Sequence, residues 1–282
     1  MIALLLLLQV DHSFLATGGE TRIVEKGQVT WTYPASTRDG WVVDGRILLA
    51  LSKSKTYPGG AAVEVDKSGK ILWEYKGTQS EVDTLQLLPG GNILLTEAGP
   101  KPRLLEVDKS GKTVVEIALR CQTGNHHMEQ RMSRKTEKGY LVPHLFDRLI
   151  REYGPDGATL WEAKTPEEPK ECWPFTAIRL ADGNVLASLT HGNRVAEFAP
   201  DGKIAWLLTN EDLPEPLLKD PCGVQRLPNG NTVICSYGAG GKDEVKLLEV
   251  TREKKIVWTY KSGKPGGIHH VQILDVDGPP LR

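Results

Sequence analysis

Short apolar stretches alternating with polar positions recur along the chain, each closed by a glycine-containing turn. A period of two over four to eight residues predicts half-buried strands, and the turns between them predict hairpins. One recurring motif is a tight turn followed by a strand carrying tryptophan. It reads EKGQVTWTY at Glu25–Tyr33, DKSGKILWEY at Asp66–Tyr75, PDGATLWEA at Pro155–Ala163, PDGKIAWLL at Pro200–Leu208 and REKKIVWTY at Arg252–Tyr260. The copy at Asp108–Ile117 has Val115 in place of the ring. Thus Trp31, Trp73, Trp161, Trp206 and Trp258 all occupy one repeat position.

A second motif is strand, turn, strand. It reads LQLLPGGNILLT at Leu85–Thr96, AIRLADGNVLAS at Ala177–Ser188 and VQRLPNGNTVIC at Val224–Cys235, with looser copies at Trp41–Leu51 and Lys135–Pro143. A short third strand lies between the motifs, as in Arg103–Asp108 and Lys246–Val250. Each unit of roughly 45 residues therefore holds four antiparallel strands, the pattern of a propeller blade. Six copies of the tryptophan strand predict an all-β, six-bladed β-propeller. The last inner strand, near His269–Leu274, has no following strands. Three N-terminal strands, near His12–Thr17, Thr21–Glu25 and Gln28–Tyr33, are expected to complete its blade. That closure removes unpaired edges, so a monomer is expected.

Composition narrows the class. Glycine and proline number 29 and 18, too many turn-formers for a helical bundle. Lys plus Arg is 35 against 36 acidic residues, a net charge of −1. No basic field supports nucleic-acid binding. No apolar run reaches the roughly 18 residues of a membrane span. The leading stretch Ile2–Leu8 is wholly apolar and reads as a short signal segment within residues 1–10, with residues 11–282 as one domain. A periplasmic or secreted location follows from that reading. Cys121, Cys172, Cys222 and Cys235 show no metal-type spacing, and free thiols are expected.

The tight turns after the first and third strands fall on one face. The other connections, on the opposite (top) face, are long and individual, and loops of that kind usually carry function. Six of the seven histidines map there. His126–His127 and His269–His270 enter inner strands half a ring apart; equivalent places hold Asp39, Asp83, Phe175 and Cys222. His144 and His191 begin second-to-third connections. One histidine of each pair is expected to face the funnel, with His127 and His270 preferred. Together with His191 these are the candidate catalytic groups, because imidazole acts as general acid, base or nucleophile. His126, His269, His144, Asp83, Trp41, Trp173, Arg38 and Asn125 are candidate ligand contacts, with Glu81, Glu97, Asn193 and Lys242 as further polar groups. His127 and His270 are also candidate ligands for a divalent transition metal, joined by Asp83 or Cys222.

The units G-K-x-x-W and L-P-N-G-N-x-L resemble the PQQ-enzyme-like β-propeller repeat and the arylsulfotransferase-like propellers. The resemblance spans the chain after residue 12. Quinoproteins of that kind carry a vicinal disulfide over the cofactor. No adjacent cysteines occur here, so PQQ is not expected. The arylsulfotransferase resemblance implies an exported six-bladed enzyme with a channel histidine as sulfate acceptor, matched by His127 and His270. Two functions follow as expectations. One is binding of a small-molecule ligand or protein partner at the top face. The other is a sulfotransferase-like or metal-dependent enzyme.

Overall fold

The computed structural model describes residues 11–122, 124–278 and 281–282. The proposed signal segment, residues 1–10, lies outside the described residues. The described chain is a six-bladed β-propeller, each blade a four-stranded antiparallel sheet. Blade I contains β1 (Phe14–Gly18), β2 (Thr21–Glu25) and β3 (Gln28–Tyr33). Blade II contains β4 (Thr37–Val43), β5 (Arg46–Leu51), β6 (Ala61–Val65) and β7 (Ile71–Lys76). Blade III contains β8 (Glu81–Leu87), β9 (Ile93–Ala98), β10 (Arg103–Val107) and β11 (Thr113–Ala118). Blade IV contains β12 (Arg134–Lys135), β13 (Tyr140–His144), β14 (Leu149–Tyr153) and β15 (Thr159–Lys164). Blade V contains β16 (Cys172–Arg179), β17 (Val185–His191), β18 (Arg194–Phe198) and β19 (Ile204–Leu208). Blade VI contains β20 (Pro221–Arg226), β21 (Thr232–Ser236), β22 (Leu247–Val250) and β23 (Ile256–Tyr260). The inner strand of blade I is β24 (Ile268–Ile273), which pairs with β1 in the register Phe14↔Ile273 to Thr17↔His270.

The repeat tryptophan lies on the outermost strand, and in three blades it fastens that blade to the next. Trp31 donates to the Lys67 carbonyl, Trp161 to that of Pro200 and Trp206 to that of Arg252, each at 2.9 Å. Each acceptor lies in the tight turn after the third strand of the following blade. The third strands carry a matching ionic link. Glu106 meets Lys135, Glu152 meets Arg179 and Glu197 meets Arg226, each cation coming from the next blade's inner-strand segment. Buried carboxylates are tolerable only when paired in this way. The four cysteines are free thiols.

The seam between blades VI and I uses a histidine instead. His12 Nε2 lies 2.7 Å from Glu249 and its Nδ1 3.3 Å from Asp275, while the ring meets Trp258 edge-on at 4.8 Å. Phe14 is fully buried between Trp258 and Tyr260. No helix among the described residues is long and apolar enough to cross a membrane.

Two outcomes are expected at this seam. Phe14→Ala should cost about 3–5 kcal/mol in urea unfolding, whereas Val29→Ala, 46% exposed on an outer strand, should change stability by less than about 0.5 kcal/mol. Burial alone lowers the His12 pKa, but its hydrogen bonds and charge contacts with Glu249 and Asp275 outweigh burial and raise it above 6.5. The stabilisation from charged His12 is therefore complete below 6.5 and disappears as pH rises through the raised folded value. The stability gap between wild type and His12→Ala should shrink as pH rises above 6.5; a gap that widens would contradict the pairing.

Candidate functional site

The inner strands share one irregularity. The pairing register slips by one residue between Thr37 and Asp39, Val82 and Thr84, Pro174 and Thr176, and Pro221 and Val224. In blade I the slip falls opposite the Thr17/Gly18 step, across His269. In blade IV, Gln130 faces His144 while Arg134 faces Leu141, so one extra residue lies between them. A β-bulge re-aims the side chain it displaces. Here the bulges fall at Arg38, Asp83, the Arg131–Ser133 stretch, Phe175, Cys222–Gly223 and His269, one level in all six blades. Gly223 is needed at its bulge, because a Cβ there would stand 2.9 Å from the His270 Cα.

Above this level opens a cavity of about 460 Å³, lined among others by Arg38, His127, Arg131, Trp173, Phe175 and His269. One wall is aromatic. Phe175 and Tyr237 meet the His269 ring edge-on at 4.9 and 5.3 Å, and Trp173 lies 4.6 Å from His191. His191 is held at the rim by a left-handed backbone, φ 56°, with its N–H bonded to Asp220. The other wall is ionic. Glu81 binds Arg38 at 2.9 Å, His127 and Lys53 at 3.2 Å, and approaches Arg131 at 3.9 Å. Asp83 lies beneath, 3.1 Å from Arg131 and 3.5 Å from Arg38. Neither Asp83 oxygen makes a directed hydrogen bond among the described residues. Burial pushes the Asp83 pKa up despite both guanidiniums. Burial also opposes the charge on Glu81, but His127, Arg38 and Arg131 prevail and lower its pKa.

The structure brings together Arg38, Asp83, His127, Trp173, His191 and His269 from the sequence candidates. The other five site candidates lie elsewhere, His270 among them. His144 is fully buried between strands, its Nε2 3.1 Å from the Tyr153 hydroxyl. Trp41 lies deeper in the channel and donates to the Leu85 carbonyl. Asn125 caps the short 3-10 turn His126–Met128, and His126 pairs with Glu129 at 2.9 Å. Both serve to fold the loop rather than line the cavity.

His269 lines the cavity wall, where His270 was preferred. It donates from Nδ1 to the Arg38 carbonyl at 2.8 Å, leaving Nε2 as its acceptor. His270 sits one residue further along the strand, fully buried. Arg282 lies 2.8 Å from its Nδ1 and Arg134 3.2 Å from its Nε2. Guanidiniums at both ring nitrogens leave His270 no approach for a metal cation, which corrects the proposed His127–His270 pair. No group of three or more His, Cys, Asp or Glu suited to a metal ion occurs among the described residues.

The sequence reading missed Arg131. It is almost wholly buried, and burial lowers its pKa even though Asp83 raises it. The repeat pattern is weakest in blade IV, whose regular inner strand has only two residues, so no motif placed Arg131 in the channel.

No family model and no curated protein sequence matches the chain. Solved structures do resemble it. A protein of unknown function from Bacteroides caccae is 22% identical with a TM-score of 0.80, covering 97% of this chain and 100% of that one. A catalytically inactive virginiamycin B lyase from Staphylococcus aureus, solved with quinupristin, is 16% identical with a TM-score of 0.63, covering 93% and 90%. BamB from Moraxella catarrhalis is 12% identical with a TM-score of 0.51, covering 94% and 89%. At these identities the likeness is one of fold. The chain is a six-bladed β-propeller with an aromatic and ionic cup at one end of its channel.

Acid should loosen this region. Burial, reinforced by Arg151 and Arg120, brings the His144 pKa down to about 3; burial and Arg38 do the same for His269. Unfolded, each titrates near 6.5. Between those values the unfolded state binds protons that the folded state refuses. Stability should therefore fall with pH by up to about 1.4 kcal/mol per pH unit for each histidine. His144→Gln should remove one such contribution from the slope, measured by urea unfolding across the window; an unchanged slope would show that His144 is protonated in the fold.

Proposed function

We propose that the protein is an exported propeller that binds a small aromatic, anionic ligand in the top cup. The bulge level carries this reading: it sets Arg38 and Arg131 beside Phe175 and His269, below Trp173 and Tyr237. Flat rings suit the aromatic wall, and a carboxylate or sulfate suits the guanidinium side. The cavity falls within the usual range for small-molecule sites, about 300–1,000 Å³. The staphylococcal lyase solved with quinupristin offers a precedent for a small molecule on this fold. Export rests on the apolar stretch Ile2–Leu8, and the mass of protein recovered from a secreting culture tests whether it is removed.

A second reading, the arylsulfotransferase-like enzyme, draws on one contact. His127 is 57% exposed at the rim with Nδ1 3.2 Å from buried Glu81. A carboxylate that orients an accessible imidazole prepares Nε2 for proton transfer or nucleophilic attack. His127 would then carry the role that the resemblance shared between His127 and His270.

One probe addresses both readings. Titrating 4-nitrophenyl sulfate should quench tryptophan fluorescence, and Trp173→Ala should weaken binding at least about 10-fold. Absence of saturable quenching would remove the binding reading for this ligand class. Release of 4-nitrophenolate that stops in His127→Ala would make the cup an enzyme site.

A further inference from the structure

A second built site lies deeper in the channel, independent of the cup. Leu281 accepts a hydrogen bond from the Arg226 N–H at 2.8 Å, at the bottom end of β20, and the Arg282 side chain enters the channel from there. Its guanidinium lies over the Trp41 ring, 4.0 Å from the centroid. Nη1 is 2.8 Å from His270 Nδ1, 3.2 Å from the Val271 carbonyl and 3.6 Å from Asp39; Nη2 donates to the Gly40 carbonyl. The main-chain oxygen of Arg282 accepts from Arg134 Nε, and Arg134 Nη1 lies 2.9 Å from Asp39. The Arg282 side chain is 1% exposed.

These contacts read both ends of one residue. A flat aromatic face, a carboxylate and in-plane carbonyl acceptors match a planar fork and suit a point-charge ammonium poorly. Arg134, at the other end, holds an oxygen. With Arg282 withdrawn, Asp39 and Arg134 remain as a buried negative and positive charge side by side. That pair complements a zwitterion with a guanidinium at one end and a carboxylate at the other. In the occupied state two guanidiniums share the single Asp39 carboxylate; burial comes first, and Arg134 adds to it, in bringing the Arg282 pKa down to about 9.

We propose that the lower channel is a receptor site for a guanidino acid of the L-arginine type, occupied here in cis by Arg282. A tethered occupant competes at an effective concentration on the order of millimolar, so the wild-type chain should take free ligand weakly.

Isothermal titration of L-arginine into the full chain tests this. Arg282→Ala should bind L-arginine at least about 10-fold more tightly than wild type. L-lysine and N-methylguanidinium, each lacking one recognition end, should bind the variant at least about 10-fold more weakly than L-arginine. Adding Asp39→Asn should abolish the gain. Arg282→Met, which keeps the packed stem, serves as a second variant. If either variant purifies unfolded, recovery of a cooperative thermal transition by L-arginine and not by L-lysine supports the site, and failure to recover it overturns the proposal. Equal affinity in wild type and both folded variants, or equal binding of arginine and lysine, also overturns it.

Discussion

Everything in this molecule depends on the pairing of β24 with β1. Six twisted sheets can surround an axis only if the last sheet is completed by the first residues of the fold. Until then blade I has three strands without their inner partner, and blades I and VI each expose an apolar face. The Phe14↔Ile273 register sets Phe14 on Trp258 and Tyr260 and brings His12 to Glu249. The joint between blades VI and I thus repeats by other chemistry what the Glu–Lys and Glu–Arg pairs do between blades III and VI. Against the opposing effect of burial, Glu249 and Asp275 raise the His12 pKa above 6.5, so the charge that holds this joint is lost as pH rises.

The same closure fixes the site. Inner strands in a closed ring present edges, not faces, to the axis, so their side chains ordinarily point between blades. A residue reaches the centre where its strand slips. The bulges at Arg38, Asp83, Phe175 and His269 convert a structural channel into a lined cup. Because the slips share one level, chemically unrelated side chains meet: two guanidiniums, two carboxylates, an imidazole and a phenyl ring within one cavity wall or just beneath it.

This geometry explains what could be read from the sequence. The tryptophan strand and the glycine turns repeat because every blade needs the same outer packing, so the six blades and strands β2 and β3 were legible residue by residue. So was the gathering of His127, His191 and His269 at one end. Depth along the axis was not legible. A bulge shifts the inward position by one residue and leaves no common residue type behind, so Asp39 was aligned with the cup although Arg38 occupies it, and His270 was preferred over His269. Blade IV hid Arg131 for a related reason: Gln130–Ser133 lacks regular pairing, so its arginine carries no periodic signature.

The channel separates into two levels because its charges are paired within each level. Arg38 and Arg131 oppose Glu81 and Asp83 above; Arg134 and Arg282 share Asp39 below. A buried guanidinium without a carboxylate is costly, so neither level can lend an acid to the other. The levels differ in access. The upper one ends in an open cavity bounded by His127 and His191, whose side chains are about half exposed, so a ligand reaches it without displacing part of the fold. The lower one is filled by Arg282 and enclosed by Trp41, His270 and Gly40. Entry there requires a group that replaces the Arg282 contacts with equal geometry, and that requirement makes the lower level the more selective of the two.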